Sequence, residues 1–250
     1  MMPNHQVQLR ARQHGVVALL SLLTLMTAVL AIFVSSFSSS AVQINRDKQT
    51  AAALAQAKEA LIALAVTRSE QPGLLLYPDR NGDTGGFSDC PPQIGGAVGN
   101  NLLLGKLPIA GEQNPCEGVH MNLGFDYVDG AGERLWYAVS KNLVDNKNAG
   151  SFPNLPGNLA GTADWITIRD STGIPLSSNV AFALFAPGGV LSGQSRTGTP
   201  PSPNNFLDEF TVGAITYRNW DLDQDFISAF DTRLVPAGAN QFNDRMISVT

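Results

Sequence analysis

GVVALLSLLTLMTAVLAIFV, residues 15–34, contains no charged side chain, and after Gly15 it is apolar except for Ser21, Thr24 and Thr27. Val16 to Val34 is 19 residues long, and about 20 suffice to cross a hydrocarbon core as an α-helix. The three hydroxyls can bond back to the helix backbone, so they do not spoil a span. No Asp, Glu, Lys or Arg occurs between Arg12 and Arg46. A charge at mid-bilayer would cost several kcal/mol, so this gap permits a transmembrane helix, taken as residues 16–37. Arg10 and Arg12 precede the span with no acid beside them, and the positive-inside rule places residues 1–15 in the cytoplasm and the rest outside.

Two ordinary fates fit such a segment. It is an uncut single-span anchor, or a secretory signal cut near Ser39-Ser40-Ala41, although its apolar run is long for a signal. The sequence that follows bears on the choice. Residues 42–68 contain neither Gly nor Pro and consist mainly of Ala, Leu, Gln, Lys and Glu, all good helix formers. Leu54, Ala57, Leu61, Leu64 and Ala65 fall at helical spacing, with Gln56, Lys58, Glu59 and Arg68 on other faces. The spacing predicts one helix over 16–68, roughly 80 Å long at 1.5 Å per residue. A signal peptide calls for no such amphipathic continuation.

Pro72 and Gly73 end that run and open a head over 69–250. Residues 74–131 are punctuated by NGD, GG and CPP clusters. ERLWYAVSKNLV (133–144) is predicted as a helix, because Leu135, Val139 and Leu143 lie four apart. DWITIRD (164–170) alternates as a strand, with Ile166 and Ile168 on one side and Trp165, Thr167 and Arg169 on the other. NVAFALFA (179–186) reads as a more buried strand, and FTVGAITY (210–217) and RMISVT (245–250) as weaker strands. The expected class is α+β, a long N-terminal transmembrane and amphipathic helix packed on an antiparallel β-sheet head.

The net charge is −5, and loss of residues 1–15 with their two arginines would take it to −7, leaving no basic patch for nucleic acid. Cys90 and Cys116 both fall in the head. An oxidising compartment would pair them, closing a loop of about 27 residues worth ~3 kcal/mol in the chain-entropy picture; two separate buried thiols are the alternative. Catalysis finds little material, since His5, His14 and His120 are the only histidines and the first two lie in the tail. Zinc finds no four-ligand set, and the chain is not expected to be an enzyme. Calcium is the better candidate. Asp79, Asn81 and Asp83 have the alternating oxygen spacing of a cation loop, followed by Asp89, yet Thr84 and Cys90 occupy the places where an EF-hand has Gly and Glu. Asp221, Asp223 and Asp225 repeat the spacing. The competing reading for both is a metal-free polar turn. Trp136, Tyr137 and Trp165 are expected in the core.

A short basic tail, then Gly15, then an apolar helix without a gap resembles the leader of type IV prepilins. The resemblance implies cleavage after Gly15 by a prepilin peptidase and methylation of the new N-terminus, Val16. Most pilins carry a glutamate five residues into the mature chain, where Leu20 stands here; members lacking it resemble tip or minor subunits such as the large tip pseudopilin of type II secretion, whose start GVVALL is similar to. AKEALIALA (57–65), YPDRNGD (77–83), GERLWYAVS (132–140), APGGVLSGQSR (186–196) and NDRMISVT (243–250) resemble recurring blocks of Gram-negative prepilin-type proteins. The function implied is that of a minor pilin or pseudopilin in a type IV pilus or type II secretion-like filament. Its head would lie in the periplasm, and its partners would be other pilin or pseudopilin subunits and the inner membrane. Some pseudopilins order a head loop with calcium, which bears on Asp79, Asn81 and Asp83. The alternative is a single-span anchored periplasmic binding protein.

Overall fold

The computed structural model describes residues 5–67, 72–82, 86–89, 103–110, 123–144, 165–232 and 240–250, with the side chains of α1 described at 16–30 and 41–67. Helix α1 runs His5–Thr67. It starts earlier than the expected Val16 because residues 5–14 also lack Gly and Pro, and Gly15 is the one glycine within it. At its end the Thr67 hydroxyl donates to the Ala63 carbonyl at 2.8 Å. Gly73 then takes φ +91 and donates its N–H to Ala65 O at 2.9 Å, a backbone conformation that glycine adopts without steric cost.

The chain forms two compact units, residues 1–47 and 48–250. In the first, the side chains of 16–30 are all exposed. In the second, one face of α1 supplies Ala53, Leu54, Ala57, Leu61 and Leu64 to a core completed by Leu75, Leu76, Tyr77, Tyr137, Phe182 and Leu184. That agrees with the helical spacing read from the sequence. Each large side chain buried here stabilises by roughly 1.5–3 kcal/mol.

The sheet against this helix has the order β1-β2-β5-β9 and is antiparallel throughout. Its strands are β1 Leu104–Lys106, β2 Trp136–Val139, β5 Phe182–Ala186 and β9 Arg245–Val249. A second sheet has the order β4-β3-β8, from β3 Ile166–Arg169, β4 Pro175–Val180 and β8 Asp225–Ile227; its β3–β8 pair is parallel. Trp136, Ala138, Ala183 and Phe185 of the first sheet pack with Ile166, Ile168, Val180 and Phe226 of the second in another core. The first sheet is thus covered on both faces, by helix on one side and sheet on the other. Strands in that position read as continuous apolar runs, and WYAV and FALFA are fully buried throughout.

That burial corrects the helix predicted over 133–144. Leu135, Tyr137 and Val139 share the helix-side core because they lie two apart on a strand, and a spacing of four is also a multiple of the strand period. Only Lys141–Leu143 is helical there, as a single 3-10 turn. NVAFALFA is two strands, not one. The chain leaves the second sheet at Val180, paired with Ile166, and enters the first at Phe182, paired with Val139 and Val249. FTVGAITY is a hairpin of β6 Glu209–Val212 and β7 Ile215–Arg218, turned at Gly213 with φ +62, which suits the first position of a type II′ turn.

Candidate functional site

Two features stand out: the exposed apolar helix of the first unit, and a polar lattice in the second. Val16, Leu19, Leu23, Leu25, Met26 and Leu30 are between 56% and 68% exposed. The hydroxyls among them are satisfied within the helix, with Ser21 donating to Ala18 O, Thr24 to Ser21 O and Thr27 to Thr24 O, each at 2.9 Å. Such a surface presents apolar groups without orphaned polar ones, which is what a hydrocarbon environment demands. By length and composition Ala41–Thr67 also passes as a membrane span. It carries Arg46, Asp47, Lys48, Lys58 and Glu59, however, and its apolar face belongs to the head core, whereas Val16–Leu30 is a shorter apolar stretch. Helix α1 is long and apolar enough to cross a membrane.

In the head, Asp79 is fully buried. Its Oδ2 accepts from Arg134 Nη1 at 2.8 Å and its Oδ1 from the Gly82 N–H at 2.9 Å. Arg134 also donates to the Leu107 carbonyl through Nε and Nη2 at 3.0 and 2.7 Å. Asn81 is exposed and faces Asp89: the Asp89 Oδ2 accepts the N–H of Arg80 at 2.7 Å and of Asn81 at 2.9 Å, and its Oδ1 accepts from Asn81 Nδ2 at 2.8 Å. The structure therefore brings Asn81 to Asp89, while Asp79 turns inward to a guanidinium. Asp83 lies outside the described residues, as do Cys90, Cys116 and His120. Among the described residues no three acid, His or Cys side chains converge as metal ligands.

The second acidic run is spread over a turn and a strand. Asp225 opens β8 and accepts from Arg169 Nε at 2.8 Å with both oxygens, while its N–H donates to Asp223 Oδ1 at 2.9 Å. Burial first, and then the hydrogen bond and charge of Asp223, push the Asp221 carboxyl up to about 7. Trp136 and Tyr137 are in the core as expected, and Trp165 is half-buried.

The polar lattice joins distant sequence blocks to one another. Asp79 of YPDRNGD meets Arg134 of GERLWYAVS. Glu133 beside it lies 3.7 Å from Arg196 of APGGVLSGQSR, and Asn243 of NDRMISVT donates to Gly189 O of the same block at 2.6 Å. Asp129, fully buried, accepts the N–H groups of Ala131, Glu133 and Gly188 at 2.7 to 2.9 Å. The next N–H, of Gly130, donates to Thr50 Oγ1 of α1 at 2.9 Å. Sequence reasoning passed over Arg134, Asp129, Asp208 and Asp244. Their signal was weak: each is a charge near an apolar segment, and nothing in the sequence gives its distant partner.

Comparison with protein-family models, with curated proteins and with solved structures finds no match.

Proposed function

We propose that this chain is a structural subunit, a minor pilin or pseudopilin of a type IV pilus or type II secretion-like filament, inserted in a bacterial inner membrane and assembled through its N-terminal helix. The observation that carries the reading is the exposed, internally satisfied apolar surface at 16–30 in the same helix whose residues 53–64 form the head core. On this reading the prepilin peptidase cuts after Gly15 and Val16 becomes the methylated N-terminus. Gly15 costs a helix about 1 kcal/mol relative to alanine, which favours local unwinding where the peptidase must reach the backbone. The head then faces the periplasm, and Leu20 leaves no carboxylate to pair with a neighbour's amine, which suits a low-copy subunit at the start or side of a filament. Small and hydroxyl residues on the span (Ser21, Thr24, Thr27, Ala28) let neighbouring helices approach closely.

A photo-crosslinking residue at Leu23 tests this in cells that carry the filament system. Adducts to the N-terminal helices of other subunits, recovered in the sheared filament or membrane fraction, are expected. Adducts to lipid alone, with none to any subunit, would favour the anchored binding protein instead.

A further inference from the structure

Asp208 and Asp244 form a buried knot that the proposed function does not use. They are 4% and 5% exposed, and each caps the backbone of the other's segment. Asp208 Oδ2 accepts the N–H groups of Asn243 and Asp244 at 2.6 and 3.0 Å, and Asp244 Oδ2 accepts the N–H of Asp208 at 2.8 Å. Gln194 Nε2 donates to Asp208 Oδ1 at 2.7 Å. Asn219, fully buried, donates to Asp244 Oδ2 at 3.0 Å and exchanges bonds with the Ile227 backbone at 2.9 and 3.1 Å. The knot thus fastens the starts of β6 and β9 to the ends of β7 and β8.

Among the described residues, Arg196 is a cation that acts on both carboxyls, and it is shared, lying 3.7 Å from Glu133 and over the Phe206 ring. Of the neighbouring chain charges, Glu209 pairs with Arg218 and Arg245 begins β9. Asp244 Oδ1 is buried with no hydrogen-bond partner among the described residues, an acceptor left without a donor near a second carboxylate. A like-charged pair in such a place holds a proton more readily than it holds two charges.

We propose that the Asp208–Asp244 knot is a proton-dependent latch on the C-terminal strand β9, closed while the pair keeps a proton and loosened when both carboxyls ionise. Burial raises both groups, Asp208 to about 6 against the hydrogen bonds and the Arg196 charge that lower it, and the Asp208 charge helps to hold Asp244 well above the ordinary carboxylate range. The folded head therefore binds more protons than the unfolded chain, and the stabilisation is complete below the unfolded carboxyl range and lost as pH rises through the folded values.

Hydrogen exchange of the β9 amides in the full chain, held in detergent micelles and corrected for base catalysis, tests the latch. Protection at 245–249 should fall by on the order of tenfold or more between pH 5 and pH 8, while that of β2 stays level, and Asp244→Asn should abolish the fall. A level β9 profile in the wild type, or an unchanged fall in Asp244→Asn, overturns the proposal. Should that variant not fold, the carboxyl carbon shifts of Asp208 and Asp244 in the wild type decide: one midpoint well above the ordinary aspartate range supports the latch, and two ordinary midpoints overturn it.

Discussion

A buried carboxylate is tolerated when every lone pair facing the interior finds a donor, and Asp79 meets that condition through Arg134 and Gly82. Removing Arg134 leaves the Asp79 carboxylate buried without the guanidinium that faces it. Arg134→Ala is therefore expected to destabilise the head by about 3–5 kcal/mol. The second carboxylate near Arg134, Asp126, is 3.6 Å away and 53% exposed, so Asp126→Ala should cost under about 1 kcal/mol. Urea unfolding of both variants measures the contrast, and equal losses would contradict this assignment. Asp221 and Asp208, raised to about 7 and about 6, give a pH dependence of definite sign. Both favour the protonated form in the folded state, so the thermal midpoint of the head should rise as pH falls from 7.5 to 5.5. A midpoint that falls over that interval would contradict it. At this scale the sequence was least legible. The spacing of Asp79, Asn81 and Asp83 suggested one cation loop, whereas Asp79 bonds to a residue 55 positions away, a distance no local spacing encodes.

Among the elements, legibility followed burial. Where one face is buried and the other is not, as in α1 over 53–64 or in β3, period and partner agree, and the sequence predicted both the element and which residues share a side. Ile166 and Ile168 are buried while Thr167 and Arg169 are half-exposed. Where both faces are buried, as in β2, period disappears and the apolar run is ambiguous between helix and strand. Leu61 is fully buried in α1 and Val66, five residues on, is 74% exposed. Leu61→Ala should cost about 2–5 kcal/mol and Val66→Ala no more than ~0.5 kcal/mol, read by the same unfolding. The short strand β1 was missed because its centre is Gly105, a poor strand former. Glycine is needed there: a Cβ would come within 2.6 Å of the Asp79 carbonyl oxygen, where the backbones bridge Asp79 to Lys106. Gly105→Ala is expected to lose about 1–3 kcal/mol through that crowding.

For the whole molecule, the proposed membrane insertion rests on the charge-free run from Val16 to Val34 and on the exposed side chains at 16–30. Leu23→Arg would place a charge mid-span at a cost of about 2.5–3.5 kcal/mol, and should shift the chain from the carbonate-resistant membrane fraction to the soluble or degraded one. The α+β class was legible in full from the helix-then-strands order. The layering was not, because the second sheet forms from short segments far apart in sequence, with β3 pairing in parallel with β8. On the proposed function, Gly15 and Val16 are a processing site at the head of an assembly helix. Mass spectrometry of the N-terminus of the chain, isolated from membranes of cells with a prepilin peptidase, tests this directly. A chain that begins at N-methylated Val16 is expected; an intact Met1, or a start near Val42, would contradict the proposed function.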